Sequence, residues 1–470
     1  MTSRGNSSLG WAERPMAELI RVAWPISVSM LSYSAMTLAD TLFVSRLGSS
    51  ALAGVGLGGT AAFLVLCFSF GMLRAVKILV SQAFGAGRSA DARTVLGAGI
   101  LLAIGLGLVS LGVAQVLAEA LPALAATPAA GSAARTFLRI RMIGTPLVLV
   151  YVALRESRYG VGDARAPMRA AVAANVVNVL LAWLFVVVLG KGVAGAATAT
   201  ACAEIVQAGL LILTQSKEGF GLGRAALARV PAVFRLGVPT GVQFAIEMGS
   251  LAALTALVSA FGEMQMAAHQ IVLQLLHFSF LPALAVSEAA GVLSGQAVGA
   301  GRDELVRVVG RRALAIASAY MVLCAVVLGG FGSSLVAPFA EDAGLRAVAV
   351  NLCLVAAGFQ IFDGMNIVAR GVLRGTGDVR FAAWTGVLSA WLLTPPLTWL
   401  LGGRLGMGAL GGWLGMCAEV VVGAVILWTR LERGGWRPYA ERARAQMRAR
   451  ATVPVEPLSP EVDVVAPSGG

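Results

Sequence analysis

The chain has 470 residues, of which 58% are hydrophobic and 13% charged, with a formal net charge of +12. Soluble domains carry roughly 25% charged residues, so a water-soluble fold of this size would lack the surface it needs. The five cysteines (Cys67, Cys202, Cys324, Cys353 and Cys417) lie in apolar surroundings with no CxxC pair, which gives no disulfide or metal framework.

Residues 1–16 are polar and show no short apolar core with a cleavage site, so they read as a cytoplasmic segment rather than a removed signal peptide. Predicted spans then follow at about 17–45, 52–84, 94–118, 133–157, 166–189 and 193–215. A cytoplasmic linker is expected at 219–230, closing a first lobe of 17–218. Six more spans follow at about 231–259, 266–299, 309–336, 346–372, 382–401 and 407–430, giving a second lobe of 231–430. Charge-free runs within these spans, such as 95–118, 313–340 and 381–403, reach the ~20 residues that cross a hydrocarbon core as a helix. Lipid offers the backbone no hydrogen bonds, and barrel-type alternation is absent, so helices are expected. Residues 431–470 read as a membrane-hugging basic stretch (Arg437, Arg442, Arg444, Arg448, Arg450) followed by a disordered tail.

The second six repeat the first. Gln82-Ala83-Phe84-Gly85-Ala86-Gly87-Arg88 returns 214 residues on as Gln296-Ala297-Val298-Gly299-Ala300-Gly301-Arg302. The same offset places Arg21 on Arg235, Pro25 on Pro239 and Thr41 on Thr255. Further along, the offset becomes 215, aligning Gly162-Asp163-Ala164-Arg165 with Gly377-Asp378-Val379-Arg380 and Cys202-Ala203-Glu204 with Cys417-Ala418-Glu419. Six spans per half is an even number, so both halves enter from the same side. The expected fold is an all-α membrane protein of twelve transmembrane helices in two six-helix lobes, related by a parallel pseudo-two-fold axis.

With both termini cytoplasmic, 27 of the 36 Lys and Arg fall on the inner side and 7 in outer loops, and two lie within the second span. This positive-inside bias assigns the basicity to topology in a cytoplasmic (plasma or inner) membrane rather than to nucleic acid. The expected partners are the bilayer and a small organic substrate, and the chain is expected to be a monomer.

Pro25, Asp40-Thr41-Leu42-Phe43-Val44, Leu47-Gly48 and Ala51-Leu52-Ala53, together with the doubled Gln-Ala-x-Gly-Ala-Gly-Arg, resemble the multidrug and toxic compound extrusion (MATE) family. Leu138-Arg139-Ile140 with Gly144-x-Pro146, and Leu373-Arg374-Gly375-x-Gly377-Asp378, resemble it too, and the likeness covers about 15–430. The resemblance implies two V-arranged lobes, alternating access, and export of bulky cationic or amphipathic compounds driven by entry of protons or sodium. No cofactor beyond the coupling ion and no enzymatic activity are implied. A flippase for lipid-linked precursors, on a related fold, is the alternative function.

An ionisable side chain at mid-membrane costs between about 3 and about 15 kcal/mol and is a functional candidate by default. Asp40 matches the acidic residue of the family's first helix. Glu247 and Asp363 fall where the family carries carboxylates in its second lobe, and suit a sodium ion or a proton relay if they converge. The other reading is that they neutralise buried arginines. Asn175 and Asn178 match a polar pair lining the first-lobe cavity of some members. Ala182 stands where several of those carry Asp, which shifts the expected coupling toward Glu247 and Asp363. Arg74 falls opposite Glu288 by the repeat offset, so Arg74, Lys77 and Glu288 are expected as an inter-lobe charge group, with Arg74–Glu288 either a gate latch or a static pair. Lys77 could also neutralise Glu247. Tyr33, Met36, Phe244 and Met248 suit a soft, promiscuous lining. Glu204 and Glu419, as repeat mates, are expected to bond a neighbouring Ser or Thr. His269 and His277 lack a partner at helical spacing and read as packing or cavity residues.

Overall fold

The computed structural model describes residues 9–451. The first eight residues, and the end of the tail expected to be disordered, lie outside the described residues. All regular structure within them is helical. In chain order come α1 (Pro15–Ser45), α2 (Ser49–Gly85), α3 (Ser89–Leu124) and α4 (Pro128–Arg141). A 3-10 turn at Met142–Gly144 joins α4 to α5 (Thr145–Gly160). Next are α6 (Arg165–Ala182), ending in a π turn at Trp183–Val188, and α7 (Gly192–Ser216). The second set comprises α8 (Arg224–Ser259), α9 (Glu263–Gly299), α10 (Asp303–Val336) and α11 (Ala343–Gly375). It closes with α12 (Val379–Leu397), a π turn at Thr398–Arg404, α13 (Ala409–Glu432) and α14 (Arg437–Ala451).

Among the described residues, eleven helical segments are long and apolar enough to cross a membrane. The expected span at 382–401 is helical, as α12 and the π turn that follows it, but is not one of the eleven. The linker expected at 219–230 is shorter. α8 begins at Arg224 and carries Pro231 within it. The basic stretch after Arg430 includes a helix, α14.

The doubled heptapeptide is a helix ending. Gly87 and Gly301 have φ of +72° and +74°, a left-handed conformation that disfavours a side chain. Arg88 N donates to Ala83 O and Arg302 N to Ala297 O, each at 2.9 Å, closing α2 and α9 with the same 6→1 bond. The two copies also grip each other. A Cβ on Gly85 would lie 2.0 Å from Gln296 O, and one on Gly299 would lie 1.9 Å from Gln82 O. Gln82 Nε2 donates to Gly375 O at 3.0 Å and Gln296 Nε2 to Gly160 O at 3.1 Å. Backbones this close are the packing that small residues permit between membrane helices.

α1 packs on α6 and α9, and α2 on α3, α4, α5, α8 and α9, while α11 fills the space between α9, α10 and α13. Gly71 and Gly241 bring α2 and α8 into backbone contact midway. α14 packs on α9 and reaches Arg88 after α2 and Asp303 at the start of α10. Trp436, at its start, is fully buried, Arg444 pairs with Asp303 at 2.5 Å, and Arg88 donates to the carbonyl of Met447. Between α11 and α12, burial pushes the Asp378 carboxyl up, opposed by the hydrogen bond from Arg430 at 2.9 Å.

Candidate functional site

Met36, Asp40 and Val44 recur every fourth residue and share one stripe of α1. There Asp40 Oδ2 lies 3.4 Å from Thr200 Oγ1 of α7, a hydroxyl it shares with the nearer Ala196 O at 3.1 Å, and Asn178 Nδ2 of α6 donates to the same hydroxyl at 3.3 Å. Asp40 Oδ1 and Asn178 Oδ1 are buried with no hydrogen-bond partner among the described residues. Three helices therefore meet on one chain of polar groups that leaves a carboxylate oxygen and an amide oxygen unused. Arg141 and Glu204 pair at 3.1 Å close by. Glu204 thus takes an arginine, not the Ser or Thr expected. Its mate Glu419 accepts from Thr394 Oγ1 at 2.5 Å.

The lining residues separate. Tyr33 is exposed, and Phe244 and Met248 are half-buried, with Phe244 edge-on to Phe63 at 6.0 Å. Asn175, half-buried, donates to Ser32 Oγ. Met36 and Asn178, expected in the lining, are 7% and 0% exposed. Met36 shares the inward stripe of Asp40, and Asn178 finds its hydrogen-bond partner between helices. His269 is fully buried, its Nδ1 accepting from Trp413 Nε1 at 3.1 Å and its Nε2 lying 3.2 Å from Thr255 Oγ1.

A second group of charges occupies the middle of the molecule. Arg74 Nη1 lies 3.3 Å from Glu288 Oε1, and Lys77 Nζ contacts Glu288 more closely still. Lys77 also lies 3.5 Å from Glu156, which takes Arg155 at 2.9 Å. Lys77, Glu156 and Glu288 are nearly inaccessible, and ions this dry need partners to be tolerated. Glu156 and Arg155 escaped the sequence reading. They sit near the carboxy-terminal end of α5, where a charge passes for a helix terminus. Their signal was the proximity of Lys77, which sequence spacing does not reveal.

Glu247 turns to Arg370 at 2.8 Å and to Gln243 at 2.9 Å. It forms no hydrogen bond with Lys77 or Asp363 among the described residues. At Glu247 the arginine alternative is the one in place, α11 presenting Arg370 to α8, and Arg370 also acts on Asp363 at longer range. Asp363, seven residues before Arg370, is half-buried with no hydrogen-bond partner among the described residues. Arg374, one turn beyond Arg370, donates to Gln243 Oε1 at 2.9 Å.

The MatE family model matches residues 25–184 and 239–400. The chain is 31% identical over 420 residues to a probable multidrug resistance protein NorM of Deinococcus radiodurans, covering 87% of this chain and 93% of the relative. Among solved structures it superposes on a eukaryotic MATE transporter with a TM-score of 0.85 at 18% identity, covering 93% and 99% of the two chains. It also superposes on an outward-facing multidrug resistance transporter of the MOP superfamily with a TM-score of 0.83 at 19% identity, covering 90% and 97%.

Proposed function

We propose, from the premise that this chain belongs to the MatE family of multidrug efflux transporters, that it is a secondary antiporter exporting bulky cationic or amphipathic compounds in exchange for protons or sodium. The observation that carries the coupling is the state of Asp40. One oxygen is tied to Thr200, and the other is buried without a partner. An unused buried acceptor is costly, and an entering proton or sodium ion satisfies it. Neutralising Asp40 weakens the Asp40–Thr200–Asn178 chain that ties α1 to α6 and α7. Because α1 also packs on α9, the ion then acts on the relation between the halves. Coupling requires that ion and drug each favour a different arrangement. Asp363 is the second carboxylate open to an ion, and Glu247 in this reading balances Arg370.

The architecture in this reading has twelve membrane helices, α12 joining the eleven, in two six-helix lobes related by a parallel pseudo-two-fold axis. The reciprocal seating of Gly85 on Gln296 and Gly299 on Gln82 supports it, as do the matching Gln82–Gly375 and Gln296–Gly160 bonds. The bias of Lys and Arg supports cytoplasmic termini in the plasma or inner membrane. Close contacts between the lobes run from Gly71 inward, consistent with an arrangement closed on the cytoplasmic side. Arg74, Lys77 and Glu288 then form a latch across the seam. The test is efflux of a fluorescent cation from everted vesicles under separately imposed proton and sodium gradients. One gradient should drive wild-type efflux and leave Asp40→Asn at background. Wild-type rates from well-expressed Asp40→Asn would remove the assignment, and wild-type rates from Asp363→Asn would remove the second carboxylate.

A further inference from the structure

We infer that Arg141 is a tethered counter-ion of the first-half site, held on Glu204, so that Asp40 is left to take the charge of a single ion. The inference rests on the export reading above and adds two positioning residues to its ion step. Arg141 ends α4, and Glu204 lies on α7 one turn beyond Thr200, whose hydroxyl stands 3.4 Å from Asp40. Arg141 Nη2 donates to Glu204 Oε1 at 3.1 Å. The same guanidinium lies against Tyr33, two turns before Asp40 on α1, and 6.0 Å from the Phe137 ring centroid. Among the described residues, Arg141 and Glu204 are the charged groups that act on Asp40.

The frame shared by both halves does not require this arginine. Glu419, the mate of Glu204, accepts from Thr394 Oγ1 at 2.5 Å. The first half has Val179 at the position of Thr394, and both repeat offsets put an apolar residue, Val355 or Ala356, where Arg141 stands. The half that carries Asp40 thus has a cation where the other has a hydroxyl. The charges then decide what the site accepts. Asp40 and Glu204 are two carboxylates and Arg141 is one cation, which leaves one negative charge over. Ions in such a setting are tolerated when they are balanced, and Asp40 Oδ1 and Asn178 Oδ1 are buried acceptors without a partner among the described residues. One proton or one sodium ion completes the balance there. Without Arg141 the same two carboxylates call for a second ion. Without the charge of Glu204, Arg141 itself satisfies Asp40 and the ion has no place.

The test is ethidium efflux by the purified full-length protein in proteoliposomes, with the membrane potential held at zero and the proton or sodium gradient that drives the wild type. Two quantities are read. One is the ion-driven rate, and the other is the ion-to-drug ratio, taken from the ion gradient that just halts a fixed drug gradient. Glu204→Gln should lose ion-driven efflux to the background of Asp40→Asn at normal protein levels, although Asp40 is intact. Arg141→Gln should keep ion-driven efflux and raise the ratio by one ion. Glu204→Gln combined with Arg141→Gln should bring back the rate and the wild-type ratio. A pair that serves packing alone would make the two single variants fail alike or leave the ratio unchanged in Arg141→Gln, and either result would overturn the inference. Should one single variant fail to fold, the other decides. Should both fail, the double variant decides, because loss of ion drive or a changed ratio there would overturn the tether. Wild-type rates from Glu204→Gln beside an inactive Asp40→Asn would overturn it and leave the export reading standing. Wild-type rates from Asp40→Asn would remove both.

Discussion

The two halves share a frame and differ in what they bury within it. Asp40, Asn178 and Thr200 form one polar chain in the first half, and the repeat offsets place Leu254, Leu393 and Gly415 at the same positions in the second. Leu254 is fully buried in an apolar cluster with Val258, Val272 and Trp413. To the buried Glu288 of α9 the second half adds a half-buried pair on α8 and α11, where Glu247 holds Arg370, and the positions equivalent to Glu247 and Arg374 in the first half are Tyr33 and Tyr159. What is common to both copies is backbone: the helix endings, the glycine contacts and the glutamines that bridge them. Side chains that serve the frame recur, and those that serve one site do not. A residue found in only one copy is therefore the better functional candidate.

This contrast can be broken or sharpened experimentally. Asp40→Asn should have the largest effect, reducing ion-driven efflux to background in vesicles with normal protein levels. Adding Leu254→Asp to it should not restore transport, since Leu393 and Gly415 offer the new carboxylate no hydrogen bonds. Rescue by that double variant would erase the distinction between the halves. Glu247→Gln removes the direct ion-pair partner of Arg370, leaving Asp363 and Glu419 at longer range, and should cost up to about 3–5 kcal/mol of stability, seen as early unfolding in a thermal size-exclusion assay. Glu247→Gln with Arg370→Gln should recover most of that loss, and failure to recover would show that Glu247 acts as more than a counter-charge. Arg74→Glu alone should slow efflux at least about tenfold, and the double swap with Glu288→Arg should bring it back if the pair works as a latch. Gly85→Ala and Gly299→Ala should each cost about 1–3 kcal/mol and by similar amounts. A marked inequality in their melting temperatures would mean that the two copies grip each other less evenly than their geometry indicates. Thr394→Val, which removes the bond to Glu419, should have the smallest effect, about 1 kcal/mol.

Much of the frame was legible because membrane helices advertise themselves by length and apolarity, and because duplication fixed their order. The offset of 214 residues placed Arg74 opposite Glu288, and the two side chains meet at 3.3 Å. Partners reached by rotation about helix axes were not legible. The 3-10 turn at Met142–Gly144 resets the facing of α5 relative to α4, so the spacing between Arg141 and Glu156 could not reveal that one joins Glu204 and the other Lys77. Arg370 and Arg374 lie one turn apart near the end of α11, and only the approach of α8 to α11 shows that they meet Glu247 and Gln243. α8 begins ahead of the span expected from 231 because the helix accommodates Pro231, and the basic composition of 437–451 carried no apolar period from which α14 could be read.

α14 carries a mechanical consequence. Arg444 and Met447 stand three residues apart, about 4.5 Å along the axis, yet one is held by Asp303, next to the second heptapeptide, and the other by Arg88, the last residue of the first. The carboxy-terminal helix is thus stitched to both copies within a single turn. The stitch has no slack, and any swing that parts those two corners must undo one side of it. Asp303 offers Arg444 both carboxylate oxygens, whereas Met447 offers Arg88 a single peptide oxygen, so the thread should slip at Arg88 first and stay with the second half.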